Sequence, residues 1–258
     1  MVARNRKGAI RQANEAKILR AAERVFARAG FAGAAIADIA KLASVPKANL
    51  HYYFKSKRAL YRAVLDNILH LWLAETDSIR ADAEPRDAIE QYVRAKMRFS
   101  WKYPDASRVF ANEVIHGAQE IGNFLRTGLR DLVTQKSRMI DDWIDDGRMA
   151  PVDPRHLFFM IWAATQTYAD FSAQIDAVLG TRRARANDLA FAEEQVVSVI
   201  LRGCGFYYTA KYPRQSASGY ARQAPYCMIG HRQRIGPHRY ALRSRAKAER
   251  SSLAMVEG

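Results

Sequence analysis

Hydrophobic residues recur every three to four positions along the chain up to about residue 203, the spacing that places them on one face of a helix. No stretch alternates apolar and polar residues for long enough to indicate a sheet. Prolines and glycines divide this pattern into segments. The predicted helices cover residues 14–29, 34–42, 46–53, 57–83, 86–101, 105–116, 120–146, 154–179 and 186–203. The sequence therefore predicts an all-α protein.

Several predicted helices have recognisable ends. Gly30 follows the first helix as a stop signal. Pro46 stands where the third helix can begin, because proline is well tolerated at the first helical position. Ser56 and Asp153 precede the fourth and eighth predicted helices, where their side chains can cap free backbone N–H groups.

The first three predicted helices have the arrangement of a helix-turn-helix unit, with a short turn at residues 43–45. The second and third helices are expected to pack through four apolar side chains, Ile39, Leu42, Val45 and Leu50. That packing presents the outer face of the third helix to the major groove of DNA, which admits one α-helix. The residues expected on that face are Lys47, Ala48, Asn49, His51, Tyr52 and Tyr53. Lys55 and Lys57 then add positive charge where a helix N-terminus already favours phosphate.

Charge supports a nucleic-acid partner and is concentrated at both ends of the chain. The 258 residues include 41 Lys and Arg against 26 Asp and Glu, a formal net charge of +15. Residues 1–11 carry four bases and no acid, and residues 206–258 carry ten bases and two acids. Because the final segment shows little apolar periodicity, we expect it to be largely disordered and to add non-specific DNA affinity.

Cysteine content and hydropathy indicate a cytoplasmic, nucleoid-associated protein without a membrane segment. Cys204 and Cys227 are too few for a disulfide framework and lack the spacing of a metal site, so two reduced thiols are favoured. Residues 14–20 interrupt any apolar run near the N-terminus, which argues against a signal peptide. The most apolar stretch, residues 157–164, is far shorter than the ~20 residues of a membrane span.

The predicted helix 154–179 is apolar on more than one face, and the predicted helix 186–203 has the same character. The apolar residues of the first are Leu157, Phe158, Phe159, Ile161, Trp162, Tyr168, Phe171, Ile175 and Val178. A helix that is apolar all round must be covered on both sides. The second cover is expected to be a partner subunit in a homodimer, although the central helix of a monomeric core would show the same pattern.

Residues 18–65, ILRAAERVFARAGFAGAAIADIAKLASVPKANLHYYFKSKRALYRAVL, resemble the DNA-binding domain of the TetR family of bacterial repressors. The closing signature YYF-x-SK-x-x-L at residues 52–60 is part of the resemblance. It implies groove-facing roles for Lys47, Ala48, Asn49 and His51, and phosphate contacts for Tyr52, Tyr53 and Lys57. Two features depart from the family pattern. Ala34 and Ala35 replace the usual Thr or Ser that opens the second helix, and Ser44 replaces the usual Gly of the turn.

Two later stretches resemble the RutR-type subgroup of TetR regulators, which sense uracil and thymine. They are YPDASRVFANEV at residues 103–114 and DPRHLFFMIWAATQTYADF at residues 153–171. The chain is thus expected to contain a helix-turn-helix domain at residues 12–57 and a helical ligand-binding and dimerisation domain at residues 58–205. A basic tail at residues 206–258 follows.

A pyrimidine sensor needs an apolar slot with polar groups at fixed positions. Trp162 and Gln166 are four residues apart and so project from one face of a helix, and the Gln amide offers both a donor and an acceptor. By the resemblance, Trp72, Trp162 and Gln166 match ligand-contacting positions, and Asp170 is a weaker candidate. The alternative is that Trp162 and Gln166 are ordinary core residues, which would show the same spacing.

Other function classes find little support in the sequence. Glu113 and His116 stand three residues apart, but a pair without a third ligand favours a core hydrogen bond or a solvated face over a metal site. Because there is no phosphate-binding glycine loop and no nucleophile motif, neither an enzyme nor a cofactor is predicted. The alternatives to a pyrimidine-responsive repressor are a TetR-type regulator with another effector and a constitutive DNA-organising protein without a ligand.

Overall fold

The computed structural model describes residues 2–73, 78–180 and 186–207, with the backbone alone at residues 2–10, 73, 186 and 187. Every regular element in these ranges is helical, which confirms the predicted all-α fold. The α-helices are α1 (Val2–Gly33), α2 (Ile36–Ala43), α3 (Lys47–Tyr53), α4 (Lys57–Leu73), α5 (Pro85–Lys102), α6 (Pro104–Ile115), α7 (Gly122–Phe124), α8 (Arg130–Asp145), α9 (Pro154–Asp170), α10 (Ser172–Leu179) and α11 (Ala186–Gly203). A π-helical turn, Leu125–Leu129, joins α7 to α8.

Several helix ends agree with the sequence signals. Gly30 leaves the helical conformation with φ 66° and ψ 178°, so α1 is broken where a stop is predicted. Ser56 caps α4 by accepting a hydrogen bond from the Ala59 N–H at 3.1 Å. Asp153 caps α9 by accepting hydrogen bonds from two backbone N–H groups of its first turn. The Arg155 side chain and these N–H groups together lower the pKa of the Asp153 carboxyl to about 2.

The fourth predicted helix ends before its expected last residue, because residues 78–83 are not helical. The Ile79 carbonyl accepts a hydrogen bond from the Lys136 ammonium at 2.7 Å, and the Ala83 N–H bonds to the carbonyl of Arg80 instead of that of Ile79. The Lys136 side chain is buried, so this bond satisfies a cation that has little access to water. It also holds the segment before α5 against α8.

Two of the later predicted helices are each divided. The stretch 154–179 breaks at Phe171, where φ −112° and ψ 31° end α9 and precede α10. The stretch 120–146 is divided by the π-helical turn between α7 and α8. A Cβ atom on Gly128 in that turn would lie 2.9 Å from the Phe124 ring, so only glycine permits this close approach without a shift of the ring.

The described helices enclose two hydrophobic cores. The first is formed by α1–α4 together with side chains from α5, α6 and the turn before α7, and its fully buried members include Ile18, Leu50 and Leu65. The second is formed mainly by α5, α8, α9 and α11 around Tyr92 and Trp143. The helix α5 contributes to both cores. Because the first core continues past the predicted boundary after α3, the domain limits derived from the sequence stay predictions.

The predicted basic tail lies almost wholly outside the described residues, as does Cys227. Cys204 is buried at the edge of the second core, and burial raises the pKa of its thiol to about 11. Such a thiol is almost entirely protonated at neutral pH and therefore a poor nucleophile. None of the described helices is both long enough and apolar enough to cross a membrane.

Candidate DNA-binding and effector sites

The turn of the helix-turn-helix contains a residue in the left-handed conformation. Ser44 follows α2 with φ 53° and ψ 44°, and its N–H bonds to the carbonyl of Lys41 at 3.2 Å. Here the sequence departs from the glycine usual in the family, and a residue with a Cβ atom costs about 1–2 kcal/mol in this conformation. The alanines that replace the usual Thr or Ser before α2 also have a structural effect, because Ala35 precedes α2 without a side-chain cap.

The helix α3 is held by buried apolar contacts and presents polar residues outward. Ile39 and Leu50 are fully buried in the first core. Of the residues predicted to contact DNA on this helix, Tyr53 is half-buried. The exposed ones are Lys47, Ala48, Asn49, His51 and Tyr52. Their individual DNA contacts stay predictions, and their exposure along one short helix is what entry into the major groove requires.

The predicted packing role of Leu42 is wrong, because 47% of this residue is exposed. The inward side of α2 is formed by Ile39, Ala40 and Ala43. At about 100° per residue, Leu42 points about 60° away from Ile39, on the side opposite Ala43. It therefore faces outward, beside α1.

Lys57 connects the start of α4 to the end of α1. Its ammonium donates hydrogen bonds to the carbonyls of Ala32 at 3.1 Å and Ala34 at 2.9 Å, and it lies 4.8 Å from the centroid of the Phe31 ring. A lysine ammonium has three N–H donors, so these two bonds leave one for a phosphate oxygen. The predicted phosphate contact therefore has to coexist with a structural role that the sequence did not indicate.

Trp72 and Trp162, which are predicted to line a pocket together, are connected through α5. The Trp162 indole N–H donates to the Tyr92 hydroxyl at 2.8 Å, and burial raises the pKa of that hydroxyl above its usual range. The Lys96 ammonium, one turn further along α5, lies 5.8 Å from the ring centroid of Tyr92 and 4.4 Å from that of Trp72. We call Trp72, Tyr92, Lys96 and Trp162 the Trp72–Trp162 cluster.

Trp72 has ring partners but no hydrogen-bond partner. Its ring centroid lies 4.3 Å from that of Phe110 and 5.9 Å from that of Phe99. Its indole N–H is buried and bonds to no other described residue. Because a buried unpaired donor costs about 1–3 kcal/mol, the cluster contains a group that an incoming carbonyl oxygen would satisfy.

Gln166 and Asp170 lie in different surroundings on α9. Gln166 is half-buried one turn beyond Trp162, and its amide makes no hydrogen bond with another described residue. Asp170 accepts a hydrogen bond from the Ser107 hydroxyl at 2.7 Å, and burial raises the pKa of its carboxyl. Asp170 thus joins α6 to α9, and its contact with a ligand stays a prediction.

Lys96 is a member of the Trp72–Trp162 cluster that was not predicted from the sequence. Lysines are rarely buried, yet only 6% of Lys96 is exposed. Its position was the available signal, because it continues the buried stripe of α5 formed by Ile89, Tyr92 and Val93. A cation on such a stripe must be satisfied within the fold, here in part by two aromatic faces.

A network of carboxylates ties α4 to α6 and to the turn after it. Glu113 is buried on α6 and accepts hydrogen bonds from the Tyr61 hydroxyl at 3.0 Å and the Glu120 N–H at 2.6 Å. Burial and the neighbouring Glu113 carboxylate raise the pKa of Tyr61. Glu120 in turn pairs with Arg58 at 3.0 Å and with Arg62. We call these five residues the α4–α6 bridge.

The α4–α6 bridge gives Glu113 a role without a metal. Its two carboxylate oxygens accept hydrogen bonds from Tyr61 on α4 and from the backbone N–H of Glu120 in the turn. A ring nitrogen of His116 lies 2.7 Å from the Asn112 carbonyl oxygen. The described residues contain no group of three or more potential metal ligands. The turn itself holds Ala118 at φ 55°, a left-handed conformation that is unfavourable for alanine.

A helix-turn-helix with an exposed third helix, followed by a helical domain, defines a DNA-binding transcriptional regulator. The family model for bacterial regulatory proteins of the tetR family matches residues 18–64. The model for the C-terminal region of YcdC-like proteins matches residues 65–207. The chain belongs to the TetR family.

Comparison with individual proteins refines this assignment. The chain is 46% identical to the HTH-type transcriptional regulator RutR of Escherichia coli K12 over 187 residues, which are 72% of this chain and 87% of RutR. This identity supports the RutR-type subgroup. The fold is shared with SCO4942 of Streptomyces coelicolor, with a TM-score of 0.58 and 24% identity over 73% of this chain and 96% of that one. The fold is also shared with FadR of Bacillus subtilis in complex with stearoyl-CoA, with a TM-score of 0.54 and 18% identity over 72% of this chain and 97% of FadR.

Proposed function

We propose that this regulator represses transcription as a homodimer on a roughly palindromic operator and that a uracil-like pyrimidine releases it from DNA. The Trp72–Trp162 cluster carries the proposal. It combines aromatic faces with an unpaired indole donor and a buried cation, and the amide of Gln166 lies one turn away on α9. The resemblance of residues 153–171 to RutR-type regulators supports the same ligand class.

A pyrimidine-dione ring offers the groups that this cluster lacks. Its carbonyl oxygens accept hydrogen bonds, as the buried Trp72 N–H requires, and Lys96 adds a positive charge beside the same ring. The Gln166 amide can donate to a carbonyl and accept from a ring N–H at the same time. A planar ring can also stack on, or meet edge-on, the aromatic side chains of the cluster. Uracil and thymine share all of these features.

An uncovered apolar face on α9–α11 supports the homodimer. These helices leave large apolar side chains exposed in the single chain, although α9 and α11 also pack in the second core. The exposed residues are Phe159, Met160, Phe171, Val178, Leu179, Phe191 and Val199. They favour burial against a second copy in a two-fold four-helix interface. Such a dimer would place its recognition helices in successive major grooves, about 34–36 Å apart or wider.

Asn49→Ala is expected to relax the sequence preference of the regulator, whereas Lys57→Ala is expected to weaken binding to every DNA sequence alike. An Asn amide paired with a base edge is worth about 1–3 kcal/mol of discrimination. A lysine–phosphate contact instead contributes about 0.9 units to the slope of log affinity against log salt concentration. Fluorescence-anisotropy titrations of the selected operator and a scrambled duplex, at several salt concentrations, measure both quantities.

The structural role of Lys57 requires a matched control. Lys57→Arg keeps the charge, and thermal melting of each variant shows whether the bonds to the end of α1 are needed for folding. A folded Lys57→Ala protein with an unchanged salt slope would contradict the phosphate contact. Unchanged discrimination by Asn49→Ala would contradict its contact with a base.

Uracil or thymine is expected to bind the purified regulator and to lower its operator affinity, and Gln166→Leu is expected to abolish this response. The substitution removes the donor and acceptor of the amide but leaves α3 unchanged, so operator binding without ligand should persist. Coupling between two such sites is typically worth ~1–3 kcal/mol, or roughly 5- to 150-fold in DNA affinity. Isothermal titration calorimetry and operator titrations with and without each pyrimidine measure the two effects.

Gln135→Leu is the matched control, because Gln135 is exposed on α8 and belongs to neither candidate site. It should respond to pyrimidine as the unmodified protein does. If neither pyrimidine produces heat while an unrelated small molecule binds, the regulator has a different effector. If no compound changes operator binding, a constitutive DNA-organising role replaces the proposed switch.

A further inference from the structure

A groove of about 300 Å³ lies between the first helix and the end of the second, outside both sites described above. Its lining residues are Lys17, Arg20, Ala21, Arg24, Leu42, Ala43 and Ser44. We call it the α1–α2 groove. The three cations Lys17, Arg20 and Arg24 follow the spacing i, i+3 and i+7, so they form one stripe along α1. Leu42 and Ala43 give the groove an apolar floor.

The three cations of the α1–α2 groove are available to an external partner. Lys17, Arg20 and Arg24 are all exposed. None of them forms an ion pair within 4.0 Å with another residue in the described ranges. Lys41 adds a further positive charge in the last turn of α2. Three like charges on one stripe repel each other and so favour a partner that carries regularly spaced negative charges.

The α1–α2 groove ends close to the recognition helix. Ser44 lines the groove, and Lys47 begins α3 three residues later, so their Cα atoms are at most about 11 Å apart. The major groove of B-DNA is about 12 Å wide, so a helix inside it has a sugar–phosphate backbone within roughly that distance on each side. The cationic stripe therefore begins near the path of the DNA backbone.

We infer that the α1–α2 groove binds the phosphate backbone of DNA beside the major groove that α3 enters. Lys17, Arg20 and Arg24 contact phosphate oxygens, and the apolar floor lies against the sugar carbons between them. Such contacts carry no sequence information, so they raise the affinity for operator and non-operator DNA alike. The inference rests on the DNA-binding role of the helix-turn-helix and adds an interface that the recognition-helix residues do not include.

The triple substitution Lys17→Gln, Arg20→Gln and Arg24→Gln tests this inference in the full-length protein. Anisotropy titrations over a range of salt concentrations are made with the operator and with a scrambled duplex of equal length. The triple substitution removes three phosphate contacts from each subunit, six in the proposed homodimer, so it should lower the slope of log affinity against log salt by about 5 units. Affinity for both duplexes should fall together, by at least roughly 100-fold near physiological salt.

A second triple variant controls for the change in net charge. It carries Arg98→Gln, Arg130→Gln and Arg138→Gln, which remove three exposed cations of α5 and α8. Its slope should stay close to that of the unmodified protein. Equal salt slopes of the DNA affinity for the two triple variants would overturn the inference. Unchanged DNA affinity of the groove variant would overturn it as well, and is the result expected if the groove binds an acidic protein. If the unmodified protein bound the operator no more tightly than the scrambled duplex, the proposed repressor function would be contradicted. Titrations with the scrambled duplex would still test the inference about the groove.

Discussion

Phe159→Glu is expected to convert the homodimer into monomers and to lower operator affinity by at least about 100-fold. Phe159 lies on α9 with 51% of its surface exposed in the single chain, in the face proposed to meet a second copy. A glutamate there would have to be buried without a partner, which is strongly unfavourable. A monomer also loses the gain of roughly 10²–10⁴ that comes from linking two binding modules. Sedimentation velocity and operator titration measure the two effects.

Ile115→Glu provides a matched control for the dimer test. Ile115 is 73% exposed at the end of α6, outside the α9–α11 face, so its substitution should leave the dimer intact. Val199→Glu offers a second disruptive change on α11, where 66% of Val199 is exposed. A micromolar solution of the unmodified protein that sediments at the monomer mass would contradict the dimer directly. Retention of dimers by both disruptive variants would place the interface elsewhere.

Glu120→Ala is expected to separate effector binding from DNA release. The carboxylate of Glu120 holds Arg58 and Arg62 near the DNA end of α4, while Trp72 lies near the other end of the same helix. From Lys57 to Trp72 the helix rises about 22 Å, so a small tilt at the cluster can move the DNA-binding end. A ligand shifts this equilibrium only by its different affinities for the two arrangements. Glu120→Ala removes the ion pairs of the α4–α6 bridge and leaves, of that bridge, only the Tyr61–Glu113 hydrogen bond between α4 and α6, so the roughly 5- to 150-fold effect of pyrimidine on operator affinity should fall towards 1.

The stability of the Glu120→Ala protein should change little. Only 7% of the Glu120 side chain is exposed, but its arginine partners are more than half exposed and stay hydrated when the carboxylate is removed. The loss should therefore stay near the upper end of the range for exposed ion pairs, about 1 kcal/mol. Glu84→Ala is the control, because Glu84 forms an exposed ion pair with Arg148 away from α4. The measurement compares operator affinity with and without saturating pyrimidine in both variants. A full response in Glu120→Ala, with pyrimidine still binding, would show that the bridge does not carry the coupling.

Local signals in the sequence predicted the helices well, because each depends on neighbours along the chain. The stop at Gly30 and the caps Ser56 and Asp153 act within one or two turns, and all three appear as expected. The outward face of α3 was predicted from the packing expected of a helix-turn-helix unit, and of its six predicted residues only Tyr53 is half-buried. Leu42 was misassigned because α2 is short, and a rotation of about 60° decides whether such a residue faces the core or α1.

The interactions that connect distant parts of the chain could not be predicted in the same way. The Tyr61–Glu113 hydrogen bond joins residues 52 positions apart, and the bond from Trp162 to Tyr92 joins residues 70 positions apart. The burial of Lys96 likewise depends on how α4 and α5 pack together. Each of these features requires knowledge of which helix faces which, and hydrophobic spacing within one helix carries no such information.

The sharing of α5 between the two hydrophobic cores has a consequence for engineering chimeric regulators. Phe99 packs in the first core, whereas Ile89 and Tyr92 on the same helix pack in the second. A graft that joined the helix-turn-helix to a foreign sensor after residue 57 would remove Leu60 and other buried α4 side chains from the first core. The transplantable unit is therefore defined by packing and includes α4 and its contacts on α5 and α6. Exchange of operator specificity is better achieved by replacing exposed residues of α3 within the intact chain.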